Sequence, residues 1–386
     1  IFTFQNNIQH LQGIILLALF LSPFQPSLCP AAEESYIQEG SIVKINTKDS
    51  GATLDLGVND GLEIGMPVII LQADKKVGPF SLNAIDKKTS EIKLTPEALG
   101  LIASGDKVQI EPLLWIFKRA VEAYKTKDFD AALADFRKVS KKIFCHEPSL
   151  YNSGLCYSSK TKYTEAQKAF KQARLCNPYN LFTYKFIADL SLLINKYTEA
   201  EKKLQEIVER NQQDLDAHLK LGLLAIEKND LDSAREEFTF VRNLSTPDLA
   251  SRLNLSGIFI QKRDFAKAKE YLNETETFVF PDVQLNAFRW SLKGYLHSLA
   301  NETQESQEAF NTATDLAPQW EILRAPQPSL PKLQQELAKY LLKINSSQEL
   351  LTAELLSFEQ SEAAKRAVTR LLKEKETEKT IAQKPL

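Results

Sequence analysis

The sequence predicts an α+β multidomain protein that is mainly α-helical, with an α-α superhelix of about six repeats after a small β-barrel or β-sandwich module. Two observations predict this division. Eight of the 13 glycines lie in residues 36–112, between short runs of strand-forming residues. From residue 113 the apolar pattern changes to a repeat of 34 residues. A chain of 386 residues is long enough for two or three such domains.

The composition excludes several classes of protein. Apolar residues make up 43% of the chain and charged residues 25%, which is ordinary for a soluble globular protein. A largely disordered chain, a collagen-like chain and a polytopic membrane protein are therefore excluded. The net charge of −2 gives no overall positive field, so no nucleic-acid partner is expected. Four cysteines do not make a disulfide scaffold.

Residues 1–32 are predicted to be a secretory signal peptide. The apolar run at residues 13–21 is too short to cross a bilayer, which needs about 20 such residues, and it fits the central region of a signal. Ala31 and Ala32 precede an acidic stretch and place the cleavage after one of them. We therefore expect an exported protein in the periplasm of a Gram-negative bacterium, with no membrane span after cleavage.

A membrane anchor formed by an uncleaved amino terminus remains the alternative. Residues 1–12 contain no Lys or Arg, although a signal peptide usually begins with positive charge. A lipid-bearing Cys29 is disfavoured because Leu28, directly before it, is not small.

Residues 36–112 are predicted to form the β module. Five short runs have strand composition, and turn residues separate them about every ten positions. Asn59–Gly61 and Ser104–Asp106 have the composition of tight turns. The predicted strands are residues 41–45, 52–56, 67–71, 90–94 and 107–110.

This module resembles a small β-barrel of bacterial envelope proteins. The resemblance rests on residues 40–45, on residues 52–68 with their three glycines at four-residue spacing, and on residues 105–110. The carboxy-terminal domain of the flagellar assembly T protein is one example of such a barrel. The resemblance implies a fold and an envelope location, and it implies no flagellar role.

The 34-residue period from residue 113 repeats small and large positions. A sixth repeat is offset by four residues, and the extra residues are expected in a loop near Pro281. Position 8 of the repeat is always small: Ala120, Gly154, Ala188, Gly222 and Ser256. Position 20 is always alanine: Ala132, Ala166, Ala200, Ala234 and Ala268. Position 24 is large: Phe136, Phe170, Leu204, Phe238 and Leu272.

This spacing resembles the tetratricopeptide repeat (TPR), in which each repeat is a pair of helices, over residues 113–320. One repeat cannot bury its own apolar face, so neighbouring repeats stack into a continuous core. We expect positions 8 and 20 to face each other where the two helices cross. The large residue at position 24 is expected to fill the space between repeats.

The resemblance implies that positions 2, 5, 9 and 12 of each first helix line a face that binds an extended or helical peptide. A protein partner is therefore expected, either a peptide or an amphipathic helix. Asn152 and Lys185 alone do not make the Lys, Arg and Asn clamp with which some members of the family bind a terminal carboxylate. The predicted partner-binding residues are Phe117, Val121, Tyr124, Tyr151, Leu155, Phe182, Lys185, Leu219, Leu223, Ile226, Leu253, Phe288 and Tyr295.

Two alternatives to an open groove remain at this stage. The repeats could pack tightly enough to leave no groove, or the carboxy-terminal helices of the chain could fill it. Residues 321–331 are predicted to be a linker, residues 332–375 a pair of capping helices, and residues 376–386 a disordered tail. Ser346 and Glu349 have the spacing of a capping box, which predicts that the second helix begins there.

No catalytic, cofactor-binding or metal-binding motif is present in the sequence. We therefore expect a non-catalytic scaffold for protein–protein interaction in the cell envelope. The alternatives are a structural homo-oligomer built through the carboxy-terminal helices and an accessory subunit of an envelope enzyme or of a secretion or motility complex. An oxidising compartment would permit one disulfide among Cys145, Cys156 and Cys176, and the sequence does not decide whether one forms.

Overall fold

The computed structural model describes residues 37–72, 75–143, 145–245, 248–279, 282–325 and 328–357. The chain divides into two units, Ile1–Pro112 and Leu113–Leu386. The predicted signal peptide, the loop at Pro281, most of the predicted second capping helix and the predicted tail lie outside the described residues.

The first unit contains a closed β-barrel of six antiparallel strands in the order β1-β2-β5-β4-β3-β6. Closure pairs every strand on both sides, so no sheet edge is left open. A short helix α1, Pro96–Leu99, precedes the last strand. The strands are β1 Gln38–Asn46, β2 Gly51–Leu54, β3 Pro67–Gln72, β4 Lys75–Ile85, β5 Ser90–Lys93 and β6 Lys107–Ile110.

The barrel core is filled by alternate residues of the strands, because successive side chains of a strand point to opposite faces. Ile42, Leu54, Ile70, Leu82 and Val108 are all fully buried. The alternation of apolar and polar residues in these runs therefore determines which side chains fill the barrel interior.

The expectation of five strands is wrong, because β4 is a sixth. Gly78 and Pro79 lie in the middle of β4, and this pair is usually a sign of a turn. They coincide with a register shift in which Val68 pairs with Phe80 and Ile70 with Val77. Proline is tolerated at such a bulge because no ladder hydrogen bond is needed from its nitrogen.

Among its described residues, the second unit contains six antiparallel helix pairs and one further α-helix, α14, at Leu330–Thr352. Each turn within a pair holds one non-glycine residue at positive φ, namely Lys127, Thr161, Asn195, Asn229, Arg263 and Asn301. The first helices of the pairs are α2 Pro112–Lys125, α4 Glu147–Ser159, α6 Leu181–Leu193, α8 Leu215–Glu227, α10 Leu249–Gln261 and α12 Val283–Leu299. The second helices are α3 Phe129–Lys142, α5 Tyr163–Cys176, α7 Tyr197–Arg210, α9 Leu231–Leu244, α11 Phe265–Asn273 and α13 Thr303–Leu316.

The small residue at position 8 makes room for the aromatic ring at position 24 of the same repeat. A Cβ added to Gly154 would lie 2.7 Å from the ring of Phe170, and one added to Gly222 would lie 2.7 Å from the ring of Phe238. The large residue at position 24 therefore packs within its own repeat, and Phe170 also contacts Phe186 of the next repeat, where the ring centroids lie 5.2 Å apart. The close crossing of the two helices within a repeat depends on this ring as well as on the buried alanine at position 20.

One disulfide joins Cys145, before α4, to Cys176, at the end of α5. Their Cα atoms are 5.2 Å apart, and Cys156 remains a free, buried thiol. Burial raises the pKa of the Cys156 thiol to about 12, so this thiol is not ionised near neutral pH. The structure thus decides a question that the sequence left open.

Helix α14, Leu330–Thr352, is a single helix of 23 residues. The expectation of a helix boundary at Ser346 is wrong. Ser346 is fully buried, and its hydroxyl bonds a residue of α6 instead of capping a helix. No helix among the described residues is both long enough and apolar enough to cross a membrane.

The fit of Phe238 over Gly222 gives a test of the repeat packing. Gly222→Ala should lower the free energy of unfolding by about 1–3 kcal/mol, because the new methyl group collides with the ring. Urea unfolding of the full chain measures this change.

The matched control is the same substitution made in a Phe238→Leu background, where the smaller side chain relieves the collision. The cost of Gly222→Ala should be smaller there. An equal cost in both backgrounds would show that the ring does not set the crossing distance.

Candidate functional site

The inner face of the repeat array is occupied by α14. This helix contacts the first helices of repeats two to six, which are α4, α6, α8, α10 and α12. We call the face formed by these five helices the groove. Of the alternatives considered from the sequence, the structure shows the one in which the chain fills its own groove.

Helix α14 is amphipathic, and its apolar side faces the groove. Leu333, Leu337 and Leu341 recur every four residues, so they form one stripe on the helix. All three are buried, whereas Glu336 and Lys343 on the other side are exposed. The stripe supplies the apolar area that holds α14 in the groove.

Most of the predicted partner-binding residues lie beneath this contact. The buried ones are Phe117, Tyr151, Leu155, Leu223, Ile226, Leu253, Phe288 and Tyr295. Five of them, from Leu223 to Tyr295, belong to one continuous apolar cluster with the leucines of α14. Tyr151 and Leu155 belong to a second cluster with Leu350 and Leu356.

The remaining predicted residues are less buried. Val121, Tyr124, Lys185 and Leu219 are half-buried, and Phe182 is exposed over 59% of its surface. The ammonium of Lys185 pairs with Asp214 at 2.8 Å. Binding of a partner by this set of residues stays a prediction.

A buried ionic cluster lies beneath the carboxy-terminal half of α14. The Lys220 ammonium donates to Asp189 Oδ1 at 2.7 Å and to Asp216 Oδ2 at 2.7 Å. The Ser346 hydroxyl of α14 donates to the same Asp189 oxygen at 3.0 Å. Asp189 Oδ2 has no hydrogen-bond partner among the described residues. We call Asp189 and Lys220 the hydroxyl site.

Burial and the neighbouring charges act in opposite directions on each of the pKa values of Asp189 and Lys220. Burial raises the pKa of the Asp189 carboxyl to about 6, although Lys220 opposes the shift. Burial alone would lower the pKa of the Lys220 ammonium, but the two carboxylates outweigh it and hold this pKa above its ordinary value. Lys220 therefore stays charged at every pH at which the protein is expected to work.

A second polar contact lies beneath the amino-terminal half of α14. The Gln334 amide donates from Nε2 to the backbone oxygen of Asn254 at 3.2 Å and accepts a hydrogen bond from the side chain of Gln261. A Cβ added to Gly257 would lie 2.6 Å from Gln334 Nε2, so the end of the Gln334 side chain packs directly against this glycine. We call Asn254, Gly257 and Gln261 the amide site.

The chain leaves the helix after Thr352 and is then held by its backbone. The Asn152 side chain accepts from the Leu356 N–H at 2.9 Å and donates to the Leu356 carbonyl oxygen at 2.9 Å. Both bonds go to one backbone residue and are therefore independent of its side chain. The sequence identified Asn152 but gave no indication that it would bind the chain itself.

Further polar contacts lie along the rim of the groove. The Gln335 side chain donates to the Glu227 carbonyl oxygen at 3.3 Å, and the Tyr340 hydroxyl donates to Asp282 Oδ2 at 2.7 Å. Burial and this bond raise the pKa of the Tyr340 hydroxyl to about 12. Among the described residues there is no group of three or more His, Cys, Asp or Glu side chains that could hold a metal ion.

Comparison with known proteins identifies the repeat. Residues 147–173, in α4 and α5, match the family model described as the tetratricopeptide repeat. No curated protein matches the chain in sequence. The chain therefore contains tetratricopeptide repeats, and this resemblance is confirmed. The resemblance of the barrel to the flagellar assembly T protein stays a prediction.

Several solved structures have a similar arrangement of helices. YrrB, a TPR protein with an unusual peptide-binding site, is 18% identical with a TM-score of 0.38, over 51% of this chain and 90% of that chain. PilF of Pseudomonas aeruginosa is 13% identical with a TM-score of 0.43, over 53% and 90%. MamA of Desulfovibrio magneticus RS-1 is 17% identical with a TM-score of 0.39, over 43% and 93%.

Titration of Asp189 should make stability depend on pH. Its pKa is about 6 in the folded chain, above the ordinary value of 3.8, so the folded state binds the proton more tightly than the unfolded state. The free energy of unfolding should therefore fall by up to about 3 kcal/mol as the pH rises from about 4 to about 7.

Urea unfolding at pH 4.5 and pH 7.5 of the parent chain and of Asp189→Asn isolates this contribution. The parent should gain stability relative to the variant at pH 4.5. A difference between the two chains that does not change with pH would contradict the assignment.

The two bonds from Asn152 should protect the Leu356 amide from exchange with solvent. Asn152→Leu removes both bonds, so exchange at Leu356 should become about fivefold faster or more, since one net hydrogen bond contributes about 1 kcal/mol. Hydrogen–deuterium exchange measures the rate. Gln348→Ala, on the exposed side of α14, is the control and should leave it unchanged.

Proposed function

We propose that the protein is a non-catalytic scaffold of the bacterial cell envelope that binds a segment of a partner protein in its groove. The segment would take the place that α14 and residues 353–357 hold in this structure. The observation that carries the proposal is the groove itself, which accommodates an amphipathic helix and then an extended segment.

We call α14 and residues 353–357 the internal segment. Its contacts with the groove are of the kind that a peptide ligand makes. An apolar stripe fills the groove, as when an amphipathic helix binds in a hydrophobic groove. Asn152 then holds the backbone of Leu356 by two hydrogen bonds. No covalent or catalytic group takes part in these contacts, so the surface is suited to binding and release.

Attachment of the internal segment to the chain sets a threshold for any partner. A tethered segment competes at an effective concentration of the order of millimolar for a short linker. Residues 325–329, with their prolines, are such a linker between the last repeat and α14. A partner must therefore bind more tightly than the tethered segment, or arrive when this segment has been released.

The disulfide supports an exported protein. Bonded cysteines persist in oxidising compartments and are rare in the cytosol of mesophiles. Cys145, before α4, and Cys176, at the end of α5, form such a bond, and the predicted signal peptide points to the same compartment. Both features support the periplasm as the location of the scaffold.

The structural oligomer is the weaker alternative. Its apolar contact would have to come from the stripe of α14, and this stripe is buried inside the groove of the same chain. An accessory role in an envelope enzyme or in a secretion or motility complex is compatible with the same groove, and its partner would bind in the same way.

Affinity capture from envelope extract tests the proposal. Leu337→Asp combined with Leu341→Asp should weaken the hold of the groove on α14 and increase capture of the partner several-fold. Asn152→Leu added to this pair should reduce capture again, because the partner loses its two backbone bonds. Quantitative mass spectrometry of the captured proteins measures both effects.

The matched control replaces the exposed Glu336 and Lys343 by Ala, which should leave capture unchanged. Circular dichroism establishes that each variant keeps the repeat helices. Capture that is insensitive to both sets of changes would move the function to another surface and sink the proposal.

A further inference from the structure

Two side chains of α14 are exceptions to its apolar buried side. The buried residues of this helix are leucines and alanine except for Gln334 and Ser346, which are polar and fully inaccessible to solvent. A buried polar group costs stability unless it is hydrogen-bonded, and both of these are bonded to groups of the groove. The two positions are therefore where the groove recognises something other than apolar area.

The amide site is matched to a carboxamide. It offers one acceptor, the Asn254 carbonyl oxygen, and one donor, the side chain of Gln261, and Gln334 satisfies both. An aliphatic side chain in this place would remove both of these hydrogen bonds. A carboxylate would face the Asn254 oxygen without a proton to share.

The hydroxyl site is matched to a hydrogen-bond donor. Asp189 already has one oxygen without a partner, and Ser346 donates to the other. Removal of the hydroxyl would leave the buried carboxylate with Lys220 as its remaining partner. A carboxylate in the place of Ser346 would add a second negative charge beside Asp189.

We infer that the groove selects a partner helix that carries a carboxamide and a hydroxyl twelve residues apart, separated by an apolar stripe and followed by an extended segment. This inference rests on the proposed function and names the chemistry of its partner. Gln334 and Ser346 are the internal copy of this pattern. At 1.5 Å per residue they lie about 18 Å apart along the helix.

The two sites together fix the register of the bound helix. A slide of one turn would place Leu342 or Leu350 against Asp189 and would leave the carboxylate with one bond fewer. Loss of a hydrogen bond to a buried group is a strong basis for discrimination, because the group stays out of water without a partner.

The extended end is held by its backbone and by apolar contact. Asn152 binds the backbone of Leu356, so any residue except proline can form the same two bonds, and the Leu356 side chain packs against the cluster of Tyr151 and Leu155. The polar selectivity of the groove is therefore assigned to the helical part of the partner.

Peptide exchange tests the inference on the folded, full-length chain. A protease site replaces Pro326 and Gln327 in the linker, and the chain is cut after folding, so α14 is held without a tether. A fluorescent peptide of residues 328–357 is then added, and its binding is followed by anisotropy. Unlabelled peptides compete with it.

The competing peptides carry one change each. Gln334→Leu and Ser346→Ala should bind about tenfold more weakly than the parent peptide, which corresponds to about 1.4 kcal/mol. Glu336→Ala and Gln348→Ala change exposed positions and should bind within about twofold of it. The protein is the same in every measurement, so no outcome depends on the folding of a variant chain.

Different results have different consequences. If the parent peptide exchanges and Gln334→Leu binds as well or better, the groove reads only apolar area, and the inference is overturned while the proposed function stands. If the parent peptide does not exchange at all, the groove is a closed core, and both fail.

A second copy of the chain is the competing occupant. Light scattering of the uncut chain over a hundredfold range of concentration should give a constant monomer mass. A dimer that dissociates when the peptide of residues 328–357 is added would assign the groove to the helix of a second copy and overturn the inference.

Discussion

The burial of α14 in the inner face of the repeats is the contact on which the second unit depends. Stacked repeats bury their sides against each other but leave the inner face of their first helices uncovered. Here this face contains Leu223, Leu253 and Phe288, which are fully buried in one apolar cluster with the leucines of α14. A large apolar surface left in water would favour aggregation, so an occupant of the groove stabilises the array.

This constraint explains why the groove can be both filled and functional. Burial of each leucine of α14 contributes about 1.5–3 kcal/mol, but ordering the helix and its linker costs conformational entropy of comparable size. The net free energy that keeps α14 in the groove is therefore much smaller than the contact area suggests. A partner segment with the same apolar stripe meets a surface already shaped for it.

The polar contacts under α14 serve selection more than stability. An ion pair such as Asp189 and Lys220 loses most of its attraction to the cost of removing two charges from water. Its value lies in what it excludes, because a helix without a hydrogen-bond donor at Ser346 leaves Asp189 less satisfied. The amide site acts in the same way through Asn254 and Gln261.

The sequence predicted the repeats well because their pattern is local and periodic. Alanine at position 20 and a small residue at position 8 recur every 34 residues, and each follows from the close crossing of two helices. The sixth strand was missed because Gly78 and Pro79 suggested a turn, and their place opposite β3 becomes evident only when the strands pair.

The sequence left the occupant of the groove undecided among several alternatives for a different reason. Ser346 forms a local capping pattern with Glu349, but its partner Asp189 is 157 residues away, and burial against that partner decides the outcome. Lysine is a residue type that usually lies on the surface, yet Lys220 is 1% exposed. Amphipathicity shows that a helix needs a partner surface and does not show which surface it will find.

The disulfide fits into the same account. It closes a loop of about 30 residues, for which the chain-entropy model gives a stabilisation of about 3–4 kcal/mol. The bond joins the two ends of the helix pair that carries Asn152, the residue that holds the backbone of the internal segment. A backbone clamp binds well only if it is rigid before its ligand arrives, because any ordering on binding reduces the affinity. The disulfide thus lies in the repeat that binds the backbone of its ligand. The two bonds made there depend on the fixed position of the Asn152 side-chain amide.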